Sequence, residues 1–249
     1  MRALILAALL AGVTPAAAYA APADVKASVA ATASRSADNV KLDESRKPAE
    51  VLRFLGLQQG MWVADPFGGN LYWAEITGPA VGPKGRVTIW EPRQFYDQKT
   101  LDNYTALHAR QPNVFLRVSP MEAPDLPGKY DFMLINMDYH DVYWESEKYG
   151  IPKMDPDQWL KTVYDSMKPG AVVGVVDHVA NPGDTRDTVQ KLHRIDPATV
   201  KADFKRAGFV LEAESRILRN PADDHSLLVF DPKIRGKTDR FILKFRKPK

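Results

Sequence analysis

Cysteine is absent from the 249-residue sequence. Its absence excludes disulfide bonds, thiolate metal sites and a cysteine nucleophile, so the hydrophobic core must hold the fold alone. Neither sign of charge dominates, since 34 Lys and Arg accompany 31 Asp and Glu, for a formal net charge of +3. The basic residues are interleaved with acidic ones except in the tail from Lys244 to Lys249. The composition therefore favours neither a nucleic-acid nor a membrane partner.

Three common catalytic motifs are missing as well. The sequence has no G-x-S-x-G nucleophile elbow, no G-x-x-x-x-G-K-[ST] phosphate loop and no H-E-x-x-H zinc helix. A serine hydrolase of the α/β-hydrolase type, a P-loop nucleotidase and a zincin protease are thus not indicated.

The first 20 residues have the pattern of a signal peptide. Arg2 precedes an apolar run from Ala3 to Val13, and small residues then lead to the A-x-A site Ala18-Tyr19-Ala20. Pro15 interrupts the run well before the roughly 20 apolar residues that a membrane anchor needs. We expect cleavage after Ala20 and a periplasmic or secreted protein that has no stable membrane insertion.

Hydrophobic patterning divides the remainder into a linker and one α/β domain. Residues 21–43 are rich in Ala and Ser and poor in bulky apolar side chains, which predicts a linker or a frayed helix. From residue 44 to 249, strand-like runs alternate with helical patterns, and the last two strands have no obvious helix between them. This predicts a Rossmann-like, mostly parallel sheet of seven strands, with helices on both faces and an antiparallel strand at one edge. The predicted strands are 61–64, 85–91, 114–118, 130–136, 171–176, 209–213 and 240–245.

The first strand leads into a segment that has the marks of a ligand-binding turn. The strand ends in Asp65, the pair Gly68-Gly69 follows, and an aromatic-rich helix begins after it. In an α/β sheet, such a turn places backbone N–H groups at the carboxyl edge of the strand, where ligands bind. The second strand ends in Glu91, and an acid at that point typically accepts hydrogen bonds from two ribose hydroxyls. The alternative is a strand-end carboxylate that only meets water.

Acid and histidine groups follow the fourth and fifth strands, which are neighbours in this type of sheet. The five side chains are Asp138, His140, Asp141, Asp177 and His178. A histidine paired with a carboxylate can act as a general base, and the same groups can hold a divalent cation through oxygen and imidazole ligands. A structural alternative stays open, in which the acids cap the following helices and the histidines bond the loop backbone.

The strand order, the acids and the glycine turn together resemble the class I S-adenosylmethionine-dependent methyltransferases. More narrowly, the sequence is similar to a bacterial group of exported predicted methyltransferases, over a range from about Glu44 to Pro248. The phrases that carry this likeness are Asn136-Met137-Asp138-Tyr139-His140-Asp141, Val176-Asp177-His178, Leu192-His193-Arg194-Ile195-Asp196 and Arg219-Asn220-Pro221-Ala222-Asp223-Asp224.

The resemblance implies S-adenosyl-L-methionine as the cofactor and assigns residues to it. Asp65 would lie near its methionine part, the Gly68-Gly69 backbone would pack against it, and Glu91 would bind its ribose. Met121-Glu122 would lie near the adenine. The implied cofactor-binding set is Asp65, Phe67, Gly68, Gly69, Glu91, Glu122 and Asn136.

The turn departs from the family pattern of three alternating glycines. Phe67 and Leu71 occupy the first and third glycine positions, and only Gly69 matches. Glycine there permits positive φ and close backbone approach, which bulky residues provide only at a cost. We therefore expect either a different loop path or a Phe67 ring inside the cofactor site.

Three functions are consistent with these observations. The first is a periplasmic methyltransferase that acts on a small-molecule acceptor, with His140 or His178 as the base. The second is a non-catalytic binding module that has kept the fold and lost the cofactor. The third is a metal-dependent hydrolase that uses the acid and histidine groups.

Overall fold

Seven strands form one sheet in the computed structural model, which describes residues 21–249. The predicted signal peptide, residues 1–20, lies outside the described residues. The strands lie side by side in the order β3-β2-β1-β4-β5-β7-β6. Their bounds are β1 Trp62–Pro66, β2 Arg86–Pro92, β3 Val114–Ser119, β4 Tyr130–Asn136, β5 Met167–His178, β6 Val210–Ser215 and β7 Arg240–Arg246.

Helices cover both faces of this sheet. They are α1 Val25–Ala30, α2 Ala37–Val40, α3 Asp43–Arg46, α4 Pro48–Leu55, α5 Tyr72–Val81, α6 Gln98–Arg110, α7 Pro156–Ser166, α8 Thr185–Leu192 and α9 Pro197–Arg206. One apolar cluster packs α7 and α9 against the sheet, and a second packs α4, α5 and α6 against the opposite face. The predicted α/β architecture of seven strands is confirmed.

The central strands are apolar because both of their faces are covered. β1 pairs in parallel with β2 and β4, and β4 pairs in parallel with β5. Parallel strands of this kind read as continuous apolar runs rather than alternating ones. The carboxyl ends of β1, β2, β4 and β5 therefore meet at one edge of the sheet, where the predicted site residues lie.

The antiparallel strand is β7, and it is inserted between β5 and β6. β7 runs antiparallel to both neighbours, so β6 is the last strand on that side. A chain that enters β7 after a long loop can reach this inner position without a crossover helix. This order is the reason that His178, at the end of β5, lies beside Arg240 at the start of β7.

The segment 21–43, whose composition predicts a linker or a frayed helix, is partly helical. It contains α1 and α2 and is fixed to α5 by polar contacts. Arg35 makes a paired hydrogen bond to the Asp43 carboxylate at 2.7 Å, and Glu75 of α5 accepts from the Ser36 N–H and the Asn39 amide. Apolar side chains of α1 also pack against the cluster that contains α4 and α5.

No helix within residues 21–249 combines the length and the apolar character that a membrane crossing requires.

Gly174 gives a direct test of how α4 packs on the sheet. A Cβ at this β5 position would overlap the side chain of Leu55, which is fully buried. We expect Gly174→Ala to lower the free energy of unfolding by about 1–3 kcal/mol, the usual cost of overpacking a core. Urea titration followed by circular dichroism measures the change.

Gly183→Ala is the matched control, because a Cβ there meets only Thr188 at 3.7 Å. We expect its urea midpoint to stay close to that of the wild type. Equal midpoints for the two variants would contradict the packing of Leu55 against β5.

Candidate functional site

The turn after β1 is built around two buried carboxyl groups. Asp65 ends the strand at 3% exposure, and a Cβ on Gly68 would lie only 2.6 Å from its Oδ2. Gly69 donates its N–H to Glu91 Oε2 at 2.8 Å, and a Cβ on Gly69 would overlap the same carboxylate. The backbone at both positions approaches a carboxyl group so closely that only glycine fits. The turn therefore contacts the two acids that the sequence singles out.

Phe67 and Leu71 adopt the left-handed backbone that glycine favours, in spite of their side chains. Their φ angles are 58° and 63°. Such a conformation costs a non-glycine residue about 1–2 kcal/mol, and burial of each side chain offsets the cost. The Phe67 ring packs against Trp90 and Trp159, with centroids 5.1 and 6.2 Å away, whereas Leu71 packs on the other face of the sheet. The two bulky residues thus keep a glycine-like turn.

Burial raises the pKa values of both acids at the turn. Burial raises the pKa of Asp65 to about 8, while Arg46 opposes the shift and Glu91 adds to it. Burial likewise raises the pKa of Glu91 to about 7, and the Gly69 N–H opposes it. Asp65 Oδ2 has no hydrogen-bond partner. Glu91 Oε1 has no donor among residues 21–249 either, so one of its oxygens remains free for a ligand.

The other predicted cofactor residues lie at different depths. Met121 is fully buried in the core, and Glu122 is exposed and accepts from Gln94 at 3.3 Å. Asn136, at the end of β4, lines the cavity described below. Of the seven predicted cofactor-binding residues, Asn136 alone borders that cavity.

A cavity of about 470 Å³ opens over the carboxyl ends of β4 and β5. Its volume falls within the usual range for small-molecule sites. Four of the five predicted catalytic residues line it, and Asp177 lies behind them with no exposed surface. The lining residues are Arg46, Asn70, Phe95, Asn136, Met137, Asp138, His140, Asp141, Trp144, Tyr149, His178, His193, Val229 and Phe230.

Asp177 connects the loops that follow β4 and β5. Its Oδ1 contacts His140 Nδ1 at 2.8 Å and accepts the His178 N–H at 2.7 Å, while its Oδ2 accepts the His140 N–H at 3.0 Å. The carboxylate thereby keeps a proton on His140 Nδ1 and turns the Nε2 side of the ring away from the strand. The structure brings together the groups that the sequence predicts at this edge.

The two histidines differ in their protonation. Burial lowers the pKa of His140, but Asp177 and Asp141 outweigh burial and raise it to about 9. Burial lowers the pKa of His178 to about 3. The His178 Nδ1 pairs with Thr238 Oγ1 at 2.7 Å, and its Nε2 has no partner among the described residues. At neutral pH and without a ligand, the His140 ring is an imidazolium, protonated on both nitrogens, whereas His178 is a neutral imidazole.

Asp138 and Asp141 face the cavity from the short 3-10 segment Tyr139–Tyr143. Asp138 precedes this segment but makes no side-chain cap, so the capping alternative does not describe it. Burial and the Asp141 charge raise its pKa well above the usual range. Asp141 Oδ1 is buried and has no hydrogen-bond partner.

Hydrogen bonds to a side chain of α9 hold the 3-10 segment in place. Tyr139 and Tyr143 both donate their hydroxyls to Asp203 Oδ2, at 2.8 and 2.6 Å. Because these tyrosines flank His140 and Asp141, the two site residues have little freedom to move.

His193 joins the site from a more distant loop. It follows α8 with φ 50°, and its ring packs against Trp144 and Phe230. The next residue, Arg194, is fully buried and makes a paired hydrogen bond to Asp223. This pair ties the His193 loop to the long segment that carries Phe230.

Several cavity residues were missed by the sequence reasoning. Arg46 enters from α3, stacks on the Tyr72 ring at 4.3 Å and has a buried Nη1 without a partner. Tyr149 and Phe230 form an exposed aromatic rim at 48% and 54% exposure. Isolated aromatic and basic residues on separate loops carry no periodic signal, although the density of aromatics from 139 to 149 was a usable hint.

No family model and no curated protein sequence matches the chain. Solved structures match it through the fold. A SAM-dependent methyltransferase from Aquifex aeolicus aligns over 85% of this chain and 100% of its own, with a TM-score of 0.57 and 18% identity. The fold is that of the class I methyltransferases.

Two further structures have the methyltransferase fold at similar distance. One is the 1,6-didemethyltoxoflavin-N1-methyltransferase from Burkholderia thailandensis with bound S-adenosylhomocysteine, which has a TM-score of 0.52 and 14% identity over 91% of this chain and 86% of its own. The other is a possible exported protein from Bordetella parapertussis, which has a TM-score of 0.51 and 16% identity over 84% of this chain and 67% of its own. At identities this low, the structural similarity establishes the fold alone, and the activity has to be argued from the site.

The polar groups at the turn fit the ribose of the cofactor that this fold implies. Glu91 Oε1 accepts no hydrogen bond from residues 21–249, which leaves it able to accept from a ligand hydroxyl, while the Glu91 carboxylate itself fills the space beside Gly69. The Phe67 ring packs into the core and is absent from the cavity lining. The cavity, however, lies over β4 and β5. Of the predicted cofactor-binding residues, it borders Asn136 alone.

The Asp65 pKa of about 8 makes stability depend on pH. Its pKa in the unfolded chain is about 3.9, so between pH 4 and 8 the folded state binds the extra proton and stability falls as pH rises. We expect Asp65→Asn to remove a slope on the order of 1 kcal/mol per pH unit between pH 5 and 7.5. Urea titrations at four pH values measure both slopes, and parallel profiles for the two proteins would contradict the assignment.

Proposed function

We propose that this protein is a methyltransferase that uses S-adenosylmethionine and acts on a small acceptor bound over β4 and β5. The observation that carries the proposal is the Glu91 carboxylate, which accepts the Gly69 N–H and keeps Oε1 free at the carboxyl end of β2. The methyltransferase fold of the neighbouring structures supports it, as does the bound S-adenosylhomocysteine in one of them.

In this proposal the cofactor supplies an electrophilic methyl group, and the residues of the chain hold and orient the reactants. Asp65, Gly68, Gly69 and Glu91 hold the cofactor, and the aromatic rim formed by Tyr149 and Phe230 holds an apolar part of the acceptor. Catalysis is then mainly alignment of the reactants.

Of the two histidines, His178 is the one that can receive a hydrogen bond at neutral pH. Its burial keeps the imidazole neutral, and Thr238 occupies its Nδ1, so its Nε2 is available to an acceptor hydroxyl. His140 already carries its proton under these conditions. We assign His178 to the acceptor hydroxyl, with His140 and Asp177 as the pair that fixes the loop beside it.

We further propose that the protein works in the periplasm or outside the cell. The signal-peptide pattern of residues 1–20 supports this location. The Bordetella neighbour, a possible exported protein, adds a structural parallel.

A non-catalytic binding module is the second candidate. It is favoured by the limits of the cavity, which borders Asn136 but neither Glu91 nor Asp65. In that case the fold is kept, and the cavity binds a small molecule that is not methylated.

Calorimetry separates the two candidates. We expect the protein without residues 1–20 to bind S-adenosylhomocysteine, and Glu91→Ala to weaken binding about tenfold to a hundredfold, since hydrogen bonds to a charged group contribute about 1.5–3 kcal/mol. Glu145→Ala, an exposed acid with no partner among the described residues, is the control and should bind like the wild type. No heat with S-adenosylmethionine or S-adenosylhomocysteine at millimolar concentration would end the methyltransferase proposal.

The Glu91 pKa of about 7 gives the same experiment a pH signature. A protonated carboxyl is a weaker acceptor than a carboxylate, so we expect affinity for S-adenosylhomocysteine to fall as the pH is lowered from 8 to 6. Glu91→Gln carries no charge at either pH, and its affinity should change less. A wild-type profile as flat as that of Glu91→Gln would exclude Glu91 as the ribose acceptor.

A further inference from the structure

Three potential metal ligands converge at the inner wall of the cavity. Asp141 Oδ1 lies 3.3 Å from His140 Nε2 and 3.4 Å from His193 Nδ1. Each of the three residues offers a ligand atom, and these atoms all lie within 4.8 Å of one another. We propose that His140, Asp141 and His193 form a binding site for a divalent transition-metal ion, independent of any methyl transfer.

The two distances from Asp141 Oδ1 to the imidazole nitrogens match those between ligands around one ion. Zinc binds nitrogen and carboxylate oxygen at about 2.0–2.1 Å with tetrahedral angles, so two of its ligands lie about 3.4 Å apart. The contacts between Asp141 and the two imidazoles are this long, and neither has hydrogen-bond geometry, since Asp141 Oδ1 counts as a buried oxygen without a partner. A buried carboxylate oxygen without a donor is costly, and a cation between the three groups would satisfy it.

The surroundings orient His140 as a metal ligand. Asp177 contacts Nδ1 at 2.8 Å, so Nε2 is the nitrogen that would bind an ion, after release of its proton, as in the carboxylate–histidine–zinc arrangement. Asp177 is itself held by two backbone N–H groups, from His140 and His178. The orientation is therefore set before any ion binds.

The other two ligands are held as firmly. Tyr139 and Tyr143, on either side of Asp141, bond the buried Asp203. His193 takes a left-handed backbone conformation directly before the buried Arg194. His193 is the C-cap of α8, and its ring packs edge-on against that of His140, with centroids 5.4 Å apart.

The ligand set also selects the class of ion. Two imidazoles and one carboxylate suit zinc, iron, cobalt or nickel, whereas magnesium and calcium prefer oxygen ligands alone. Three protein ligands leave at least one coordination position, and the cavity lies on that side. Water or a hydroxyl of a bound molecule can occupy this position, as in hydrolytic zinc sites.

Metal binding to the purified protein tests the proposal. After chelator treatment and desalting, the protein is titrated with Zn²⁺ by calorimetry and with Co²⁺ by visible absorption, both in the absence of S-adenosylmethionine. We expect one ion per chain and a Co²⁺ spectrum typical of four- or five-coordinate nitrogen and oxygen ligands. Absence of stoichiometric binding of either ion at micromolar protein would overturn the proposal.

Two variants and a matched control locate the ion. Asp141→Asn and His193→Ala each remove one ligand and should weaken Zn²⁺ binding at least about tenfold. Even the loss of a residue that hydrogen-bonds to a ligand lowers metal affinity about 10–100-fold. His225→Ala removes a histidine that bonds Asn181 and Asp239 outside the cavity and should bind as the wild type does. Circular dichroism confirms folding of each variant, and the near-isosteric Asp141→Asn keeps the test valid if His193→Ala is unstable.

The metal titration is distinct from the cofactor titration. Unchanged Zn²⁺ affinity in Asp141→Asn and His193→Ala would overturn the assignment to these residues, whatever the protein does with S-adenosylhomocysteine. Stoichiometric zinc without any cofactor binding would leave the metal site standing and favour hydrolytic chemistry in the cavity.

Discussion

The buried carboxylate of Asp177 is the interaction on which the candidate site depends. It has no exposed surface, and burial alone would raise its pKa, but His140 and the His178 N–H keep the pKa below its usual value. A buried charge of this kind is tolerated only when it is fully hydrogen-bonded. Asp177 therefore fixes two loops at once, because the ring and backbone of His140 come from the β4 loop and the N–H of His178 ends β5.

The turn after β1 illustrates a different balance, between backbone strain and core packing. Phe67 and Leu71 hold positive φ angles that glycine adopts freely, and their side chains are buried on opposite faces of the sheet. Gly68 and Gly69 remain where the backbone meets the carboxyl groups of Asp65 and Glu91. Side-chain burial thus stabilises backbone angles that glycines adopt freely in a glycine-rich loop. The turn also leaves one acceptor oxygen of Glu91 free.

The two halves of the carboxyl edge therefore offer different chemistry. Over β1 and β2, the buried acids Asp65 and Glu91 surround a tight glycine turn. Over β4 and β5, histidines, carboxylates and an aromatic rim line a cavity of about 470 Å³. Asn136 ends β4, the strand beside β1, and lines the cavity.

The sequence by itself determined the sheet, its seven strands and the edge where the chemistry lies. Buried parallel strands are continuous apolar runs, and residues at the ends of such runs lie at the carboxyl edge, so the place of Asp65, Glu91 and Asp177 at that edge follows from local pattern. For the segment 21–43 the composition predicts a linker or a frayed helix, and the polar pairs that help to hold it, such as Arg35 with Asp43, leave no hydrophobic period.

Only the tertiary structure decided which residues meet. His193, from the loop after α8, and Arg46, at the end of α3, are remote in sequence, and no local pattern relates either to Asp141 or Asp138. The left-handed turns at Phe67 and His193 also depend on packing that forms only when the core is complete. Convergence of side chains from separate loops is a property of the folded chain, because it requires distances that sequence separation does not encode.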